Sequence, residues 1–345
     1  VSFDAYIFDT KDMLMAGKTL PGVYGASSPR MNVADLRTKG WEASVTWGDS
    51  FTLASKPFNY RIMAGIGDNT SKVTKYDNPN RTLTDPYEGQ QLGEIWGYVV
   101  DGYFKTDEEA RNYKVDQSFV NQMINASALD NGLHAGDLKF VDLDGNNKIE
   151  QTTSANDRKD MKVIGNSLPR YNYNFGISAD WYGIDFSVLF QGIGKQNWYP
   201  GAETSMFWGP YSRPYASFIP SDFMSQVWSE ENTDAYFPRP RGYVALGSNR
   251  ELAVVNTKYL QNLAYCRLKN LSIGYTLPDK WLSKIGFEKI RVYFSGENLL
   301  TFTKLHSDYI DPEQASASNS WKTSKSDANI YPWAKTYSFG VDITF

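Results

Sequence analysis

The sequence predicts an all-β fold, a transmembrane antiparallel β-barrel, and three observations carry that prediction. Apolar residues recur with period two in eight separate segments, the connections between those segments alternate long and short, and aromatic residues make up 15% of the chain. Period two puts alternate residues on opposite faces of a strand. One such segment alone fits a half-buried strand of a soluble sandwich better. Eight in a row, joined by loops of alternating length, fit the wall of a barrel.

Segment 2–9 comes first and carries aromatics on both faces. Trp41, Ala43, Val45 and Trp47 then oppose Glu42, Ser44 and Thr46, and Phe58, Tyr60, Ile62 and Ala64 oppose Asn59, Arg61 and Gly65. In 171–181, Tyr171, Tyr173, Phe175, Ile177, Ala179 and Trp181 face away from Asn172, Asn174, Gly176, Ser178 and Asp180. Ile184, Phe186, Val188 and Phe190 follow the same rule against Asp185, Ser187 and Gln191, with Leu189 the exception. Segment 263–276 fits less well, because Arg267 and Lys269 share parity with Leu271 and Ile273, so its start is expected beyond the bilayer. Ile290, Val292 and Phe294 oppose Arg291, Ser295 and Glu297, and Tyr337, Phe339, Val341, Ile343 and Phe345 close the chain against Ser338, Gly340, Asp342 and Thr344.

The expected connections are long at 10–39, 68–169, 194–262 and 299–334, and short near 50–57, 182–183 and 277–288. Membrane barrels keep short turns on the periplasmic side and long loops outside the cell. If the last strand ends at the periplasm, all four long loops are extracellular. Within them, the Thr106-Asp107-Glu108-Glu109 run, a hydroxyl cap followed by acids, predicts a helix over 106–125. A second short helix is expected at 221–229, and irregular chain at 200–220 and 315–328.

Composition excludes several functions. A net charge of −4, with no Lys/Arg-rich run, leaves no basic surface for nucleic acid. One cysteine, Cys266, forbids an intrachain disulfide, and two histidines, His134 and His306, argue against a zinc centre or a histidine relay. No run of eighteen apolar residues exists, which a barrel does not need. The chain starts at Val1 with neither Met nor a signal-peptide pattern, which points to a processed product or a fragment.

Several blocks follow one another in order: Gly93 to Phe104; Ile164-Gly165-Asn166 with Pro169, and the strand pair ending Phe190-Gln191-Gly192; Glu297-Asn298-Leu299-Leu300-Thr301 followed by Asp311-Pro312-Glu313; and Tyr331-Pro332 with Lys335 to Gly340 and the terminal Thr344-Phe345. Together they resemble the SusC/RagA family of TonB-dependent transporters of Bacteroidetes. The similarity runs from about residue 35 onward. It implies a twenty-two-stranded outer-membrane barrel of which this chain holds about eight C-terminal strands, with the plug, the TonB-contacting segment and the earlier strands absent. The resemblance further implies import energised by TonB, a SusD-like surface lipoprotein as partner, and a closing strand, Tyr337, Phe339, Val341, Ile343 and Phe345, read by the barrel-assembly machinery. No catalysis and no cofactor are required on this reading.

Two regions carry candidate binding chemistry. Residues 196–243 are the most aromatic part of the chain, and Trp198, Tyr199, Phe207, Trp208 and Tyr211 are the candidates for stacking on a sugar. The alternative is that these rings pack a large loop or the SusD-like lid, which is the reading preferred for Trp228 to Arg241. Asp142, Asp144 and Asn146 place oxygens like the opening of an EF-hand loop, for a divalent cation such as Ca²⁺. The match is partial. Asn147 stands where that loop takes Gly, Thr153 where it takes Glu, and Asp157 is the candidate to close the shell, as a similar acidic position does in the family. An Asx-rich turn binding nothing is the alternative. Asp180 and Asp185 are expected to be lumen charges rather than a glycosidase pair, because no apolar pocket surrounds either.

The expected function is outer-membrane nutrient import, with oligosaccharide as the favoured cargo and oligopeptide as its competitor. A secreted soluble β-sandwich that binds or cleaves glycans, and an independent eight-stranded barrel, are the alternatives of other classes.

Overall fold

The computed structural model describes residues 1–17, 20–25, 27–121, 132–212, 218–240, 242–282, 286–315, 325–326 and 331–345. Eight strands form one antiparallel sheet in sequence order: β1 (Ser2–Ala16), β2 (Arg30–Leu53), β3 (Lys56–Lys75), β4 (Arg170–Trp181), β5 (Ile184–Lys195), β6 (Tyr265–Thr276), β7 (Lys289–Thr303) and β8 (Thr336–Thr344). Each falls on one of the eight alternating segments. The loops are shorter than expected, because β1 to β3, β5 and β7 run several residues past the apolar stretch. Backbone pairing does not depend on which side chains it carries.

The short connections are tight turns where the pattern placed them. Ala54 and Ser55 have φ of 48° and 63°, and Tyr182 and Gly183 have φ of 50° and 85°. Two consecutive left-handed residues give the hairpin turn whose twist matches the flanking strands. The third connection contains a helical turn, Asp279–Leu282, that the sequence did not announce.

The broken parity at Arg267 has a local cause. The register of β6 slips against both neighbours between Leu268 and Asn270: against β5 Lys269 is an extra residue, whereas against β7 it is β7 that carries one residue more. A bulge of this kind moves the residues before it onto the other parity. Arg267 therefore lies opposite Gln191 and Thr301 on the polar face, and Leu268 opposite Phe190 and Leu300 on the apolar one. In β1, where both faces carry rings, Tyr6 lies directly opposite Gly40. A side chain at Gly40 would collide with the tyrosine ring, so the glycine makes room for it.

Among the described residues, no second layer covers the apolar face of the sheet. Phe175, Ile177, Ile273, Val292, Phe339, Val341 and Ile343 are exposed there, each 39% or more. The buried core lies elsewhere, in the long connections. Trp198, Tyr199, Phe207, Trp208, Tyr211, Phe237, Leu252, Tyr259 and Leu263 form its centre, joined by Tyr98, Leu138, Phe140 and Ile149 from the second long connection and Leu305 and Ile310 from the fourth. Small sheets brace this layer: Glu94–Tyr98 with Met161–Asn166, and Val100–Tyr103 with Leu138–Phe140.

The helix predicted over 106–125 is one short element, Asp107–Arg111, capped by Thr106, whose hydroxyl accepts from the Glu109 N–H. It stops because Asp116 turns the chain: its carboxylate accepts from the Ser118 N–H, and its backbone pairs with Asn147 and Ile149. Residues 122–125 of that prediction lie outside the described residues, as does most of 315–328. At 221–229 there is only a 3-10 turn, Phe223–Gln226, because Val227 goes extended to pair with Phe237.

Candidate functional site

The five aromatic candidates sit together, but inside. Trp198, Tyr199 and Trp208 are fully buried, and Tyr211 and Phe207 nearly so. Phe207 and Trp208 meet edge to face at 4.8 Å, Tyr211 stacks on Phe237 at 5.8 Å, and Trp208 abuts Tyr259 at 5.2 Å. Their polar atoms are satisfied internally: the Trp208 indole donates to the Gly201 carbonyl, the Tyr211 hydroxyl to that of Pro238, and the Tyr199 hydroxyl to that of Leu252. A ring stacked on other rings offers no face to a sugar. These residues are the core of the loop layer, and the packing alternative replaces the binding one. Tyr243, exposed, lies outside that core, and Tyr215 lies outside the described residues.

The acidic loop forms a tighter group than the sequence indicated, with a different membership. Asp142, Asp144 and Asp160 each present a carboxylate oxygen within 4.8 Å of the others. Asn147 takes φ of 61°, the left-handed conformation its side chain tolerates, and its N–H reaches Asp142 Oδ2 at 2.7 Å. Asn146 is turned to its neighbours, its amide donating to Asp144 and Glu150 and its oxygen accepting from the Lys148 N–H. Asp157 is outside the group; Asp160 takes the place given to it.

Asp160 lies beyond a twelve-residue loop counted from Asp142, so spacing alone could not find it. It is fully buried, and its two oxygens accept from the Leu143 and Glu150 N–H groups at 2.9 and 2.7 Å. Desolvation first, and then the charges of Asp144 and Asp142, push its pKa up despite those bonds. Three hard oxygen donors that repel one another, one withdrawn from water, suit a hard divalent cation.

A third constellation was not anticipated. Arg267, 2% exposed, sends its guanidinium to Glu313 Oε2 at 2.6 Å, Asp311 Oδ1 at 2.7 Å and Thr301 Oγ1 at 3.0 Å. Lys269 reaches both oxygens of Glu313 at 2.7 Å. Asp311 also accepts from the Glu313 and Trp333 N–H groups. The Asp311-Pro312-Glu313 turn is thereby fastened to the polar face of the wall, while Leu305 and Ile310 bury in the loop core. Asp180 and Asp185 lie opposite one another, the first accepting from Asn59 and the second paired with Arg291. A carboxylate paired this way is an ordinary wall charge.

No protein-family model matches the chain. The TonB-dependent receptor P3 of Formosa agariphila is 27% identical over 364 residues, spanning 100% of this chain and 32% of the relative. SusC of Bacteroides thetaiotaomicron is 21% identical over 344 residues, spanning 99% of this chain and 30% of the relative. The chain is SusC/RagA-like. It spans about a third of the length of these curated relatives. The same fold appears in the RagAB peptide importer in its 'open-open' state, at a TM-score of 0.67 and 20% identity over 99% of this chain and 32% of that one. That likeness agrees with a sheet whose apolar face is bare among the described residues and whose loops hold the buried core.

Proposed function

We propose that this chain is part of the wall and extracellular loops of an outer-membrane importer, its apolar face against lipid and its polar face against the lumen. The observation that carries this is the bare apolar face: about eight strands of exposed Phe, Ile, Val and Trp with no covering layer among the described residues. In water such a surface would drive aggregation; in a bilayer it is the solvated face. Closure into a twenty-two-stranded barrel, energising by TonB, capping by a SusD-like lipoprotein and delivery by the barrel-assembly machinery through Tyr337, Phe339, Val341, Ile343 and Phe345 belong to the same proposal. No enzymatic step is part of it. Oligosaccharide remains the favoured cargo; the solved RagAB relatives are peptide importers, which keeps oligopeptide as the competitor. Ca²⁺ is proposed at Asp142, Asp144 and Asp160, where it would cross-brace the loop layer.

Membrane fractionation tests the core of this reading. The full-length protein should stay with the membrane pellet after an alkaline carbonate wash and should show a folded, faster-migrating band in unheated detergent gels. Recovery in the aqueous fraction would remove it and leave the soluble β-sandwich.

A further inference from the structure

We infer that Trp333 is a stacking platform for a sugar ring at the extracellular mouth of the lumen, an inference that rests on the importer reading above. The rings of Trp198 to Tyr211 are consumed by packing, whereas Trp333 is 52% exposed and yet held in place. Its backbone N–H donates to Asp311 Oδ2 at 3.2 Å, and Lys269 Nζ lies 5.7 Å from its ring centre. Asp311 is fixed by the buried Arg267, and Lys269 by Glu313.

These anchors also settle which side of the wall the ring is on. A lone Trp near a strand end is usually a girdle residue at the lipid headgroups. Here the surrounding charges stand on the face of Arg267, which its register partners Gln191 and Thr301 mark as polar. Lys269 Nζ lies over one face of the indole, and Trp333 is half exposed. An indole whose backbone is already tied to Asp311 offers a flat apolar surface at reduced ordering cost, and the carboxylate beside it can accept from hydroxyls. That combination suits the C–H face of a neutral pyranose.

Isothermal calorimetry on the full-length transporter with its lipoprotein partner tests this, using maltohexaose, cellohexaose, laminarihexaose, xylohexaose and a tryptic digest of casein as probes. Binding of one or more hexasaccharides is expected, weakened at least about tenfold by Trp333→Ala, about 1.4 kcal/mol, and restored to within about threefold by Trp333→Tyr. Unheated gel mobility equal to wild type shows that each variant is folded. A hexasaccharide that binds Trp333→Ala as tightly as wild type overturns the platform and leaves the importer reading standing. Binding of casein peptides alone, or of no probe, overturns the platform together with the oligosaccharide cargo.

Discussion

Arg291 of β7 and Asp185 of β5 form a bidentate ion pair, at 2.8 and 2.6 Å, although strand β6 lies between them. The guanidinium passes over Gly274, where any Cβ would collide with both partners. Arg291 also reaches Asp342 of β8 at 3.1 Å, so one side chain links β5, β7 and β8 on the polar face, crossing over β6.

Gly274→Val should therefore break a contact that neither charged residue's own mutation would reveal as steric. The substitution fills the gap and forces Arg291 aside. A lower temperature for conversion of the folded to the unfolded gel band is expected, by at least as much as for Arg291→Ala, whose partly exposed pair is worth roughly 1 kcal/mol. Equal melting of Gly274→Val and wild type would refute the bridge.

Arg267 is the more costly of the two arginines to lose, because it is buried. Arg267→Ala leaves Asp311 with uncompensated charge, while Glu313 keeps Lys269, and breaking a buried pair costs about 3–5 kcal/mol. Faster cleavage within 299–334 by an added protease should follow, while the sheet still resists it. Arg267→Lys should rescue little, since an ammonium cannot fork to two carboxylates.

Trp208→Ala should destabilise the loop layer by about 3–5 kcal/mol, the usual cost of removing a large buried aromatic. A packing role predicts that Trp208→Phe recovers most of this, measured as loop protection in hydrogen exchange. Selective loss of cargo binding with unchanged exchange would return Trp208 to the binding surface.

Calcium and pH should act on the acidic loop in opposite directions. Asp160 has a raised pKa when folded, so it binds its proton more tightly than in the unfolded chain. Its contribution is therefore greatest below the ordinary carboxylate range and is lost as pH rises through the raised value. Without calcium, loop stability should fall across that window. With calcium the loss should be offset, because the cation binds the deprotonated group. Terbium luminescence and thermal melting at pH 4.5 and 7.5, wild type against Asp144→Asn, would show it; a calcium increment retained in Asp144→Asn would exclude the site.

Phe345→Ser and Phe339→Ser remove apolar surface that is more than four-fifths exposed in the free sheet, so folding contacts within this chain barely change. Accumulation of unassembled protein in the periplasm is nonetheless expected if the closing strand is the assembly signal. Normal membrane levels in both variants would reduce these residues to lipid contacts.

How much of this was written in the sequence follows from the range of the forces involved. Strand order, the two tight hairpins and the bare face of Tyr337 to Ile343 were legible, because alternation and turn chemistry act over a few residues. The start of β6 was not: the bulge at Lys269 obeys its neighbours' register rather than its own pattern. Asp160 joins Asp142 across seventeen intervening residues, and Trp208 lies among rings from several loops, so neither membership nor burial could be read along the chain. Amino-acid order determined which face of each ribbon is greasy. Only the tertiary structure decided that the loop aromatics, and not the strands, bury one another, because burial is a property of what else arrives at the same place.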